Sequence, residues 1–221
     1  MIRATEGERK MSYKANNGIM DFLEKIADLL MLNFAVIIFS IPIVTGGAAF
    51  TAAHYVTIKM YREEGHVLKN FWKAFKEKLK QSTVIWLVIL LVAAVSSYVL
   101  FGFSSSGEAV TAAVKGVVVA GLLLSALPLM WLFPLQSRFV NKISTTLKNA
   151  FLLSFRHIGR SVGMIAICLI PVILYVLLST NWFLCVFLSF GFSLPIYCCT
   201  KLYNGVFIEL EEKILNSENE L

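Results

Sequence analysis

Charge is scarce in this sequence. Asp, Glu, Lys and Arg make up 15% of its 221 residues, against about 25% in a soluble domain. Hydrophobic side chains fill 57% of the chain, in long runs without the alternation of a half-buried strand. That combination excludes an ordinary water-soluble core. Residues 84–103, VIWLVILLVAAVSSYVLFGF, carry no charge at all. About 20 apolar residues rising roughly 1.5 Å each match the roughly 30 Å hydrocarbon core of a bilayer. The stretch Leu29–Ile41 does not read as a cleavable leader, because a mixed-charge segment precedes it and no Ala-x-Ala follows. No linker or compositional break divides the chain, so 1–221 is expected to form one integral membrane domain.

Recognisable chemistry is equally scarce. The cysteines are Cys168, Cys185, Cys198 and Cys199, all inside apolar runs and none in Cys-x-x-Cys spacing. Adjacent Cys198 and Cys199 would point about 100° apart on a helix, so they read as polarizable packing residues rather than a metal pair. There is no Gly-x-Ser-x-Gly, His-Glu-x-x-His, Walker loop or dinucleotide fingerprint. The carboxylates gather at Asp21–Asp28 and Glu209–Glu220, away from the apolar runs. The expectation is a protein that is not an enzyme, with no catalytic residues, no metal and no cofactor.

What charge there is sits in revealing places. The formal net charge is +6, but the basic residues flank hydrophobic runs, where they set orientation and attract anionic lipid. Nucleic acid is therefore not an expected partner. The segment 59–80 carries Lys59, Arg62, Lys69, Lys73, Lys76, Lys78 and Lys80, and 136–160 carries Arg138, Lys142, Lys148, Arg156 and Arg160 with no acid. The connections 104–110 and 179–181 carry no Lys or Arg. By the positive-inside rule the two rich segments are cytoplasmic and the two poor ones lie outside. Arg3, Arg9, Lys10, Lys14 and Lys25 place the N-terminal segment inside as well. An even number of crossings between residues 25 and 62 follows, read as a hairpin about Pro42-Ile-Val-Thr-Gly-Gly47.

The expected fold is thus all-α, a polytopic bundle in the cell membrane with both termini cytoplasmic. About six embedded helices are predicted, over about 23–41, 48–62, 84–103, 111–133, 161–178 and 182–200. The short 48–62 helix should pack inside the bundle, since Gly46, Gly47, Ala48, Ala49, Ala52 and Ala53 permit close approach.

Two basic amphipathic segments complete the pattern. In about 66–82, Leu68, Phe71, Trp72, Phe75 and Leu79 form an apolar stripe beside Lys69, Lys73, Lys76 and Lys80. In about 143–160, Ile143, Leu147, Phe151, Phe155 and Ile158 form the stripe, with Lys148, Arg156 and Arg160 around it. Helices of this kind lie in the headgroup plane of an anionic inner leaflet or present a docking surface to a partner protein.

Few polar residues fall within the runs. Asn33 reads as interhelical glue or a substrate contact. His54 reads as a packing residue or a proton relay. Pro42, Thr45, Gly46 and Gly47 shape the hairpin turn. Asn33, the run Pro42-Ile-Val-Thr-Gly-Gly-Ala-Ala-Phe-Thr-Ala-Ala53, Lys59 and Asn70-Phe-Trp-Lys-Ala-Phe-Lys76 together resemble the YesL-like family of bacterial membrane proteins, a domain-of-unknown-function family. Members often carry a second proline where this chain has Gly46-Gly47-Ala48. The resemblance implies a setting beside sugar transporters, with a sugar transporter complex as partner, and no established activity. It points to an accessory role in carbohydrate uptake. A small stand-alone transporter or channel is the alternative. The sequence leaves the oligomeric state open.

Overall fold

A computed structural model of the chain describes residues 6–62, 66–102, 108–177 and 180–219. These residues form eight α-helices and no strand. Helix α1 (Glu6–Ser40) leads through a 3-10 turn at Ile43–Thr45 into α2 (Gly46–Tyr61). Helix α3 (Val67–Ser97) ends in a π-turn at Tyr98–Gly102, followed by α4 (Glu108–Arg138) and α5 (Ile143–Arg156). Helices α6 (Ile158–Leu177), α7 (Thr180–Phe190) and α8 (Ser193–Asn219) complete the bundle. Of the predicted outer connections 104–110 and 179–181, residues 104–107 and 179 lie outside the described residues, while the rest begin α4 and α7.

Among the described residues, three helices are long and apolar enough to cross a membrane: Val67–Gly102, Val110–Arg138 and Ile158–Leu177. The pair α7–α8, bent by 49°, makes a fourth candidate if it counts as one span. Length and composition thus support three to four of the expected six. Helix α2 has 16 residues, about 24 Å at 1.5 Å each, short of a roughly 30 Å hydrocarbon core. In α1 the charges persist to Asp28, which leaves too little uncharged helix before Ser40. An even number of crossings between residues 25 and 62 is met by none as well as by two.

Two further expectations change. The predicted span 182–200 is two helices, broken at Gly191-Phe192. The predicted separate interfacial helix 66–82 is the first half of α3, because no proline or glycine interrupts Val67–Ser97. Its stripe is also turned inward. Phe71 and Phe75 are buried in the core with Val67 and Ala74, while Trp72 and Leu68 stay exposed.

Helix α2 is the axis of the N-terminal half. Gly46, Gly47, Ala48, Ala49, Thr51, Ala52, Ala53, Val56, Thr57 and Ile58 are all buried. Small residues let α3 approach closely: a Cβ at Gly47 would stand 2.5 Å from Cβ of Trp86 and 2.9 Å from the Ser82 carbonyl oxygen. Phe39 of α1 closes the other side, its ring centroid 5.5 Å from Phe71 and 4.9 Å from Phe75. A second core gathers Trp131, Leu135, Met164, Tyr203 and Phe207. There the indole N–H of Trp131 donates to Ser161 Oγ at 2.8 Å, and Ser161 donates in turn to the Ser154 carbonyl at 2.9 Å. At one end, Glu211 of α8 pairs with Arg138 of α4 and, at 3.5 Å, with Arg62 after α2. The outer faces are apolar, with Leu91, Val117, Leu123, Val172 and Val176 exposed. That is the surface a bilayer covers and water does not.

Candidate functional site

The α7–α8 break strands backbone groups that a continuous helix would pair internally. Asn33, fully buried on α1, satisfies three of them with one amide and shares a fourth group, the Phe187 carbonyl, with the Gly191 amide at 2.8 Å. Its Nδ2 donates to the carbonyls of Phe187 at 3.2 Å and Leu188 at 2.7 Å. Its Oδ1 accepts from the amides of Phe192 at 2.9 Å and Ser193 at 3.2 Å. An amide has two donor hydrogens and one two-lone-pair acceptor, so Asn33 is fully used. Irregular backbone at membrane depth is tolerated only where protein or a lined cavity supplies such partners. Gly191 makes the turn. A Cβ there would lie 2.5 Å from the Phe187 ring and 2.6 Å from its carbonyl oxygen.

Beside the break lies a cavity of about 360 Å³, within the size range of small-molecule sites. Its walls come from α2 (Phe50, His54), α3 (Trp86), α4 (Leu129, Met130, Phe133), α6 (Met164, Cys168, Pro171), and the α7–α8 pair (Phe187, Gly191, Phe192, Pro195, Ile196, Cys199). The aromatic rings are in mutual contact, Phe50 lying 5.8 Å from Trp86 and 5.6 Å from Phe192 between centroids. Polar atoms are few. The Trp86 indole N–H is already given to the Ile43 carbonyl at 2.7 Å. The Cys199 thiol is given to the Met164 carbonyl at 3.8 Å.

His54 anchors a buried polar chain behind the cavity. Its Nδ1 lies 2.9 Å from Tyr203 Oη, Tyr203 Oη lies 2.8 Å from Thr200 Oγ1, and Thr200 Oγ1 lies 2.8 Å from Thr57 Oγ1. Thr57 reaches back to the His54 carbonyl at 3.0 Å, and Thr200 to that of Ile196 at 2.9 Å. The chain ties α2 to α8 across the bundle.

Asn33 thus braces the α7–α8 break, and His54 lines the cavity beside it. Pro42, Thr45, Gly46 and Gly47 are placed apart from it, in a turn where Thr45 Oγ1 donates to the carbonyls of Phe39 at 2.7 Å and Pro42 at 2.8 Å. Gly46 and Gly47 pack on Trp86, which also lines the cavity. Lys69, Lys73, Lys76 and Lys80 form an exposed basic edge on α3, with Lys76 Nζ 4.5 Å from the Trp72 ring centre. Phe71 and Phe75 are buried beneath that edge, against Phe39. Sequence reasoning missed Tyr203, Thr200, Gly191 and the aromatic wall. Gly191 with Pro195 four residues on was the one available signal. Among the described residues no three His, Cys, Asp or Glu side chains come together to hold a metal.

A broken helix buttressed by a buried amide beside an apolar cavity marks a polytopic helical membrane protein. Residues 29–101, a minority of the chain, match the family described as "Protein of unknown function, DUF624". The YesL-like family carries this domain, so the match agrees with the resemblance drawn from Asn33, the Pro42–Ala53 turn and Asn70–Lys76. No curated protein and no solved structure matches this chain.

Proposed function

We propose that this protein is a non-enzymatic accessory or regulatory component of bacterial carbohydrate uptake, multi-pass in the cell membrane with both termini cytoplasmic. The uptake setting rests on the family resemblance. The observation favouring an assisting role over carriage of sugar is the cavity lining. A sugar presents several hydroxyls, and each one buried without a partner costs roughly 1–3 kcal/mol. The walls offer the His54 ring and otherwise mostly aromatic, aliphatic and sulfur surface. Partners on this reading are a sugar transporter complex and the anionic inner leaflet, which Lys69, Lys73, Lys76 and Lys80 would face.

Purification in mild detergent should recover a sugar transporter subunit with the tagged protein, and proteoliposomes of the protein alone should show no saturable sugar flux. Saturable flux by the purified protein would reject the reading. For topology, the short α2 supports a hairpin that returns to the cytoplasmic side without crossing. A cysteine at Ile43, in a cysteine-free background, should then be protected from an impermeant thiol reagent on intact cells. Labelling at 43 from outside would restore the two crossings.

One observation favours a second reading, a small carrier acting alone. Discontinuous helices at membrane depth are how many transporters build their binding sites, and the lining of this one would select an apolar solute.

A further inference from the structure

We propose that the cavity at the α7–α8 break binds an apolar chain ending in one hydrogen-bond donor, in chemical class a long-chain alcohol, with its hydroxyl on Nε2 of His54. The site is independent of whether the protein assists a transporter.

The apolar part follows from the walls. Phe50, Trp86, Phe133, Phe187 and Phe192 surround about 360 Å³. Apart from the α2 contribution, the walls belong to the helices and the bent pair long enough to cross a membrane, so the occupant arrives from the bilayer. The Trp86 indole and the Cys199 thiol are already engaged, and the remaining thiol, of Cys168, is only a weak hydrogen-bonding group. That leaves His54 as the polar lining group with a site to spare. Its Nδ1 is taken by Tyr203, and Nε2 has no partner among the described residues. Nor is Nε2 sealed off: the buried polar atoms without a partner belong to Ser40, Gln136 and Ser193. The His54 ring lines the cavity, and we place its unpaired Nε2 there.

The donor requirement follows from counting hydrogens. Five contacts link His54, Tyr203, Thr200, Thr57 and two carbonyls, and each needs one hydrogen. The three hydroxyls supply one apiece. With the imidazole neutral and its hydrogen on Nε2, at most three of the five contacts are true bonds. With the hydrogen on Nδ1, His54 donates to Tyr203, Tyr203 donates to Thr200, and four are satisfied. A buried polar network settles into the arrangement that leaves the fewest groups unpaired. Nε2 is then a bare lone pair, and only a donor can pair with it. An alcohol fits. An ether, ketone or ester of the same chain does not.

The test uses the full-length protein in detergent micelles with a photoreactive long-chain primary alcohol and the methyl ether of the same chain. Cross-linked residues are mapped by mass spectrometry over a concentration series. The alcohol should label α6 and α8 positions around the cavity saturably, at about tenfold lower concentration than the ether, the worth of one buried hydrogen bond. His54→Phe should bring the two probes level, and Tyr203→Phe, which frees the tautomer, should shrink their difference. Met130→Trp should reduce labelling by both through filling the cavity. Equal labelling of the wild-type protein by alcohol and ether would overturn the proposal without any variant. So would a preference for the ether, which would place the hydrogen on Nε2. Labelling confined to lipid-facing residues such as Leu91 and Val176 would show ordinary solvation by the chain and would overturn it too.

Discussion

The segments 67–82 and 143–156 look alike in sequence and are used in opposite ways. Each has an aromatic stripe at helical spacing and lysine or arginine beside it. In the first, the stripe is the core side: Phe71 is 1% exposed and Phe75 8%. In the second, the stripe is the outside: Phe151 is 59% exposed, Leu147 50% and Phe155 43%, while Thr146, Ala150, Leu153 and Ser154 are buried against the bundle. Helix α5 is also a separate element, set off from α4 by an extended Lys142 and from α6 by a non-helical His157. It has the freedom to lie along a surface that α3 lacks. Periodicity tells which residues share a face, and what covers that face is decided by the rest of the chain.

The largest test of this contrast removes one ring from each stripe. Phe71→Ala should cost about 3–5 kcal/mol, the range for a buried ring that leaves a cavity. Phe151→Ala should cost no more than about 0.5 kcal/mol, as at an exposed site. Denaturant unfolding in micelles reads both, and equal losses would erase the distinction. A step smaller is the glycine that seats α2 on the same half of α3. Gly47→Ala forces a Cβ against Trp86 and the Ser82 carbonyl, for about 1–3 kcal/mol of overpacking. Gly205→Ala in α8 meets nothing within 4 Å and should stabilise by roughly 0.5–1 kcal/mol through helix propensity.

Smaller again is a pH effect at the hinge after α5. Burial first, then Arg160 and Arg156, hold His157 below its usual 6.5, with Lys213 adding to them and Glu209 opposing. The Trp131 ring also faces it, 6.0 Å between centroids. Because folding disfavours the proton, stability should be full above pH 6.5 and decline as pH falls from there through the lowered folded value. His157→Gln should flatten that decline in thermal melts across the same range. A decline unchanged by the substitution would assign it to other groups.

The smallest effect concerns charge. On an anionic leaflet a basic residue of α5 gains roughly 1 kcal/mol, screened by salt. A peptide of 143–156 should bind anionic vesicles and release as ionic strength rises, with Lys148→Gln weakening it by about fivefold. The peptide binding neutral vesicles equally well would leave α5 to a protein partner.

The sequence made much of this legible where the signal is local. The Gly46–Ala53 run of small residues announced a helix packed inside, and α2 is that helix. The basic clusters placed Lys69, Lys73, Lys76 and Lys80 on an exposed edge. What was not legible depends on residues far apart in the chain. Asn33 stood out as a buried amide, but its partners are 154 to 160 residues away. His54 and Tyr203 are separated by 149, and neither position announces the other. The number of crossings was not legible either: α2, with 16 residues, is shorter than the roughly 20 a span needs, and where its ends sit depends on how the rest of the bundle packs around it.

Asn33 also sets an order on biogenesis. The ribosome delivers α1 first, and the segment it must brace emerges last. Until the two meet, the bent C-terminal pair would hold three naked peptide groups in hydrocarbon, those of Leu188, Phe192 and Ser193, a state from which it would straighten, back out or be degraded. The N-terminal helix therefore acts as an internal assembly factor for the C-terminal pair. Two fragments separated between α5 and α6 and expressed together should accumulate as a complex, while the C-terminal fragment made alone should be cleared by membrane proteases.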